Sequence, residues 1–220
     1  MTIGLEDAHI GGNEHRGQES GKEQDMSAIV WHEQKITRKQ HEGLNGHRGL
    51  CIWFTGLSGA GKSTLANALE QRLYESGVHT YLLDGDNLRH GLNAGLGFDK
   101  DSRRENVRRV AHVAKLFADA GVVVVTALIS PFREDRDSAR EIVSSDSFIE
   151  VYVECPVEVC MTRDPKGLYE KAKSGVIKEF TGVSSPYEPP LQPDITVNTS
   201  EMSIQDCIDH ILEGVKSKLY

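Results

Sequence analysis

The stretch Gly56-Leu57-Ser58-Gly59-Ala60-Gly61-Lys62-Ser63 follows the pattern G-x-x-x-x-G-K-[ST] without a mismatch. Residues of these types at this spacing make a phosphate cradle. Glycines let the backbone curl so that successive N–H groups converge on one concavity, and a helix beginning there adds its positive pole. Lys62 then brings a point charge to the β- and γ-phosphates of a nucleotide, and Ser63, followed by Thr64, offers a hydroxyl to Mg²⁺. An apolar run lies before the loop and an amphipathic run after it, the strand–loop–helix setting that this chemistry needs.

A phosphate loop alone fits a GTPase, an ATPase or a small-molecule kinase. The sequence has no N-K-x-D guanine-reading motif, and its third apolar run ends at Ala127-Leu128 without the acid of a Walker B strand. The nearest acids at a strand end are those of Asp84-Gly85-Asp86. A carboxylate there can bind Mg²⁺ through water or orient an acceptor hydroxyl. Arg89, Arg103, Arg104, Arg108 and Arg109 suggest a second anion site in an otherwise acidic chain. Arg104 and Arg108 stand four apart on a helix, so not all of these arginines can face one ligand. Phe98 and Phe180 fall in loops, where aromatic rings can sandwich a planar base.

The elements that must hold these groups alternate along the chain. Leu50–Thr55, His79–Leu83, Val122–Leu128, Phe148–Cys155 and Ile195–Val197 read as strands. Helical spacing of apolar residues marks 63–76, 103–120, 134–144, 168–173 and 203–219, with a further helix opening at Pro156. The proline-rich stretch Thr181–Pro193 reads as loop. Strand–helix alternation of this kind means a parallel sheet flanked by helices on both faces, an α/β fold in three layers. The compact domain is expected over 49–220, with an approach segment at 28–48 and a polar, disordered leader at 1–27.

Composition narrows the partners. A chain of 220 residues with a formal net charge of −8 is a poor general binder of nucleic-acid polymers or membrane surfaces, which call for a basic face. No apolar run approaches the ~20 residues that span a bilayer. The four cysteines, Cys51, Cys155, Cys160 and Cys207, form no C-x-x-C pair and read as buried, reduced thiols of a cytoplasmic protein.

Several segments together closely resemble the adenylylsulfate kinase family of P-loop kinases. They are Gly56 to Thr64, Asp84-Gly85-Asp86-Asn87-Leu88-Arg89, Arg103 to Arg109, Ile129-Ser130-Pro131-Phe132-Arg133, Asp164 to Tyr169 and Lys178-Glu179-Phe180-Thr181-Gly182. The resemblance runs from about Ile29 to Ile211 and implies transfer of the ATP γ-phosphoryl group, with Mg²⁺, to the 3′-hydroxyl of adenosine 5′-phosphosulfate. It implies that Asp84, Asp86, Asn87, Arg89, Arg103 and Asn106 line the acceptor site. Phe98 and Phe180 would then stack on its adenine, while Ile129, Ser130, Lys166 and Thr181 complete the pocket. Lys62, Asp84, Asp86 and Ser130 are the expected catalytic set, and Ser63 with Asp84 the expected metal pair. Pro131 to Arg140 would belong to a mobile lid, and the assembly would be a homodimer. Ser130 is the position that family marks as a phosphoserine intermediate, yet phosphoryl transfer needs mainly positioning and charge stabilisation, which argues for direct transfer. A kinase of another small hydroxyl acceptor and a non-catalytic nucleotide-binding subunit are the alternatives.

Overall fold

In a computed structural model describing residues 29–30 and 32–220, β1 (Leu50–Thr55) lies at the centre of a five-stranded sheet of order β2-β3-β1-β4-β5. The other strands are β2 (Thr80–Asp84), β3 (Val123–Ala127), β4 (Phe148–Glu154) and β5 (Ile195–Asn198). Every pairing is parallel, with Ile52 of β1 beside Val125 on one side and Ile149 on the other. All six residues of β1 are buried, because a central parallel strand is covered on both faces.

Alternation along β1 divides the core. Leu50, Ile52 and Phe54 face a cluster built with α2 (Lys62–Glu75) and α8 (Ile204–Leu219), whereas Cys51 and Trp53 face a smaller one under α4 (Lys100–Asp119) and α5 (Arg133–Val143). The expected layers are therefore present. Three short helices complete the set after β2 and β4: α3 (Gly85–Leu88), α6 (Val157–Arg163) and α7 (Leu168–Lys173). Thr181–Pro193 is loop as expected, apart from one bridge between Thr181 and Ser185.

The differences lie where capping, not hydrophobic period, decides. Helix α4 begins three residues before the expected Arg103, because Asp99 accepts from the Ser102 backbone at 2.9 Å and so satisfies a first-turn donor. The Asp84-Gly85-Asp86 turn is one turn of helix, capped by Asp84 through the Asp86 N–H at 3.0 Å. Within the polar stretch before Gly49 lies α1 (Arg38–Asn45), which buries none of its residues. It is held by a capping box at Thr37 and by Asn45, whose Nδ2 donates to the Gly121 carbonyl at 2.8 Å.

Residues 35–220 form one compact unit. The described residues before Lys35 carry no helix or strand, and the expected leader 1–27 and Trp31 lie outside the described residues. Among the described residues, no helix is long and apolar enough to cross a membrane.

Candidate active site

The carboxyl ends of β1, β2, β3 and β5 open into one cleft of about 1030 Å³, the position at which open parallel sheets bind ligands. From β1 the chain turns through Gly56, Gly59 and Gly61, at φ 151°, 78° and 96°. A Cβ at Gly59 would stand 2.9 Å from the Cys160 carbonyl oxygen and one at Gly56 only 2.5 Å from that of Val153. Glycine is thus required by space as well as by φ. The loop delivers its chain to the N-terminus of α2, with Gly61 as the left-handed cap.

Lys62 is only 8% exposed, and its Nζ donates to the Leu57 carbonyl across the loop at 2.7 Å. Burial pushes its ammonium down to about 8, against the opposing pull of nearby Asp86 and Asp84. Ser63 Oγ donates to Asp84 Oδ2 at 2.7 Å, while Asp84 Oδ1 caps α3. A serine hydroxyl and a carboxylate touching at a helix N-terminus suit Mg²⁺, which takes few protein oxygens and completes its shell with phosphate and water. Among the described residues no group of three or more His, Cys, Asp or Glu could hold a metal by itself. Asp86 pairs with Lys166 across the mouth of the cleft.

Farther along the cleft lie Arg89, Phe98, Arg103, Asn106, Phe180 and Thr181. Asn106 Oδ1 is buried without a partner, an arrangement that costs stability unless a ligand or water donates to it. Phe98 is 57% exposed, with the Arg89 guanidinium 4.2 Å from its ring centroid. Phe180 is 7% exposed, its ring edge-on to Tyr169 with centroids 4.9 Å apart. Arg103 is a tether: its guanidinium donates to the Phe98 carbonyl at 2.5 Å, to Thr181 Oγ1 at 2.9 Å and to the Glu179 carbonyl at 2.6 Å. Ile129 and Ser130 form the β3 wall. Ser130 has φ 37° and is 3% exposed, and its Oγ accepts from Trp53 Nε1 at 3.1 Å.

Most sequence-derived candidates thus meet in one cleft, with informative exceptions. Asn87 is exposed and lies off the cleft wall. Within the phosphate loop, Gly56, Leu57 and Ala60 turn away from the cleft, and the Ala60 carbonyl accepts from Thr199 Oγ1 at 2.8 Å. Arg104 pairs with Glu134 and Asp135, and Arg108 and Arg109 with Glu105, so these three face carboxylates rather than the cleft. Pro131 to Arg140, expected to supply part of a mobile lid, is tied in this structure to β4 and to the 188–189 loop. Arg136, 2% exposed, donates to Glu150 at 2.7 Å, to the Ser130 carbonyl at 2.7 Å and to the Glu188 carbonyl at 2.8 Å. Arg163, Thr199, Met202, Ile204 and Cys207 line the end of the cleft beside α2 and α8. Sequence reasoning missed them because they come from separate elements and share no motif.

A glycine loop feeding a helix at the carboxyl edge of a β2-β3-β1-β4-β5 parallel sheet, with a second pocket alongside, defines a phosphotransferase of the P-loop kinase class. Residues 48–198 match the family described as adenylylsulphate kinase. A probable adenylyl-sulfate kinase of Halalkalibacterium halodurans is 57% identical over 183 residues, covering 83% of this chain and 91% of that one. The adenylyl-sulfate kinase of Clostridium acetobutylicum is also 57% identical, over 188 residues, 86% of this chain and 94% of its own. The solved structure of the Mycobacterium tuberculosis APS kinase CysC in complex with AMPPNP and APS matches with a TM-score of 0.74 and 47% identity, covering 77% of this chain and 98% of that chain. The chain belongs to the adenylylsulphate kinase family.

Proposed function

We infer that this protein transfers the γ-phosphoryl group of ATP to the 3′-hydroxyl of adenosine 5′-phosphosulfate, giving 3′-phosphoadenosine 5′-phosphosulfate. The observation that carries this reading is a single cleft with a complete phosphate loop at one end. At the other end it has aromatic rings, arginines and the unpartnered Asn106 oxygen, a combination suited to a planar base bearing an anion. Lys62 and the loop N–H groups would hold the donor phosphates. Ser63 would bind Mg²⁺, with Asp84 behind it, and the ion when present neutralises charge on the β- and γ-phosphates. Asp84 or Asp86 would orient the acceptor hydroxyl in line, and Lys166 would approach the acceptor's anionic end. Phe98 and Phe180 would flank its adenine, with Asn106 donating or accepting at the base or sugar. Arg89, Ile129, Ser130 and Thr181 complete the wall; Arg103 would act by holding Phe98 and Thr181 in place. The same reading makes the protein a cytoplasmic homodimer, its catalytic domain spanning 49–220 behind an approach segment at 28–48.

The test is ADP release measured with adenosine 5′-phosphosulfate against a panel of nucleosides and sugar acids. Turnover should be confined to the phosphosulfate, and Lys62→Ala should abolish it without unfolding the chain. Comparable turnover with a sugar acid would overturn the assignment.

A further inference from the structure

One hydrogen bond links the two ends of the cleft through a residue that lines neither. Tyr169, in the first turn of α7, is 2% exposed, and its hydroxyl donates to the carbonyl of Ser58 in the phosphate loop at 2.8 Å. The edge of the same ring packs on Phe180 with an interplanar angle of 80°. Ser58 and Phe180 both line the cleft, and Tyr169 stands behind them. Burial pushes the phenol well above its ordinary range, so the hydroxyl remains a donor.

The carbonyl and the following N–H of a planar trans peptide point in opposite directions. Holding the Ser58 carbonyl toward Tyr169 therefore turns the Gly59 N–H away from it. The orientation of that peptide is what a phosphate cradle has to fix. Asp164 sets the position of Tyr169 in turn, accepting from the Leu168 N–H at 2.8 Å and the Tyr169 N–H at 3.0 Å. Lys166 sits on the same short loop, tied to Asp86.

We propose that Tyr169 is a positioning residue that sets the donor loop and the acceptor wall against each other, through its hydroxyl on Ser58 and its ring on Phe180. Tyr169 itself lines neither pocket; its hydroxyl fixes the distance between them, and its ring backs Phe180 in the acceptor wall. In-line transfer is sensitive to that distance, since a misplacement of about 1 Å can cost about 100-fold in rate. The proposal rests on the functional reading above.

The test is steady-state kinetics of Tyr169→Phe and Tyr169→Leu, with AMPPNP affinity and a thermal melt of each. Tyr169→Phe keeps the ring and loses the hydrogen bond. Its kcat should fall about tenfold while both KM values and the AMPPNP affinity stay within about threefold. Tyr169→Leu removes the ring edge as well, and its KM for adenosine 5′-phosphosulfate should rise at least about fivefold. A Tyr169→Phe enzyme with wild-type kcat, or one whose loss lies wholly in KM or follows a lost folded fraction, would overturn the proposal and leave the functional reading standing. A wild-type protein that does not turn over adenosine 5′-phosphosulfate would instead overturn that reading, and this one with it.

Discussion

Lys62 is nine-tenths buried beside the phosphate loop, where the Leu57 carbonyl and the nearby carboxylates of Asp86 and Asp84 replace only part of the hydration its ammonium has lost. Its proton affinity is pushed down to about 8 from an ordinary 10.5. Between those values the unfolded chain holds the proton and the folded, ligand-free protein does not, so this group's contribution makes stability rise with pH across that window. Nucleotide phosphates reverse the preference by favouring the charged form. Binding of AMPPNP should therefore take up close to one proton near pH 9, where its own phosphates are already fully ionised, with affinity falling as pH rises above about 8. Calorimetry in buffers of different ionisation enthalpy reads the proton count directly; a count near zero at pH 9 would remove Lys62 from this role. Ser130 is the other residue with a decisive test. Its strained backbone is held by Arg136, its Oγ accepts from Trp53, and no carboxylate or imidazole among the described residues hydrogen-bonds that oxygen. A serine nucleophile needs such a base. Direct transfer predicts inversion at a chiral γ-phosphorus, and net retention would establish a phosphoserine intermediate in its place.

At the scale of elements, what the sequence disclosed and what it withheld separate by physical cause. The loop from Gly56 to Ser63 was legible because its chemistry is local: glycines, lysine and hydroxyl act within eight consecutive residues. The long helices were legible because each buries a stripe of helical period, and β1 and β3 because both of their faces are buried, which leaves an unbroken apolar run. Helix α1 was not, since no residue of it is buried and Leu44, itself exposed, is its only large apolar side chain, so there is no apolar stripe to read. The anchoring of Pro131 to Arg140 was equally hidden. It depends on Glu150 and Glu188, which only the folded chain brings to Arg136. That anchoring is testable. Arg136 and Glu150 are a buried pair with side chains 2% and 10% exposed; removing Arg136 leaves Glu150 only Arg140, 3.7 Å away, and takes the donors from the Ser130 and Glu188 carbonyls. Arg136→Ala should cost at least about 1.5–3 kcal/mol in urea unfolding, and a loss below about 1 kcal/mol would contradict the pairing. Phe180 lies in a loop as expected and its ring is also packed on Tyr169, so Phe180→Ala should act twice. It should cost up to about 3–5 kcal/mol of stability through the cavity it leaves. It should also weaken adenosine 5′-phosphosulfate by about 1–3 kcal/mol through lost stacking, with AMPPNP affinity hardly changed. Equal weakening of both ligands would mean that Phe180 does not belong to the acceptor wall.

Across the whole molecule, a net charge of −8 opposes the approach of two polyanionic ligands, so their binding rests on cations gathered at one sheet edge. Those cations come from distant parts of the sequence: Lys62 after β1, Arg89 after β2, Arg103 on α4, Arg163 on α6 and Lys166 before α7. A cleft assembled from so many elements exists only when the sheet is formed, which makes ligand affinity a property of the entire 35–220 unit rather than of one loop. Anything that binds the folded state alone stabilises it by mass action, by about 2.7 kcal/mol at a hundred times the dissociation constant. For a domain of this size, 1 kcal/mol moves the melting temperature by about 2–4 °C. AMPPNP with Mg²⁺ at that excess should therefore raise Tm by about 5–10 °C in a single transition, followed by calorimetry with circular dichroism alongside. Lys62→Ala at the same nucleotide concentration should show almost no shift. If nucleotide instead split the melt in two and raised only one component, the donor site would sit on a part that folds separately, and the assembly of the cleft by the whole sheet would be wrong.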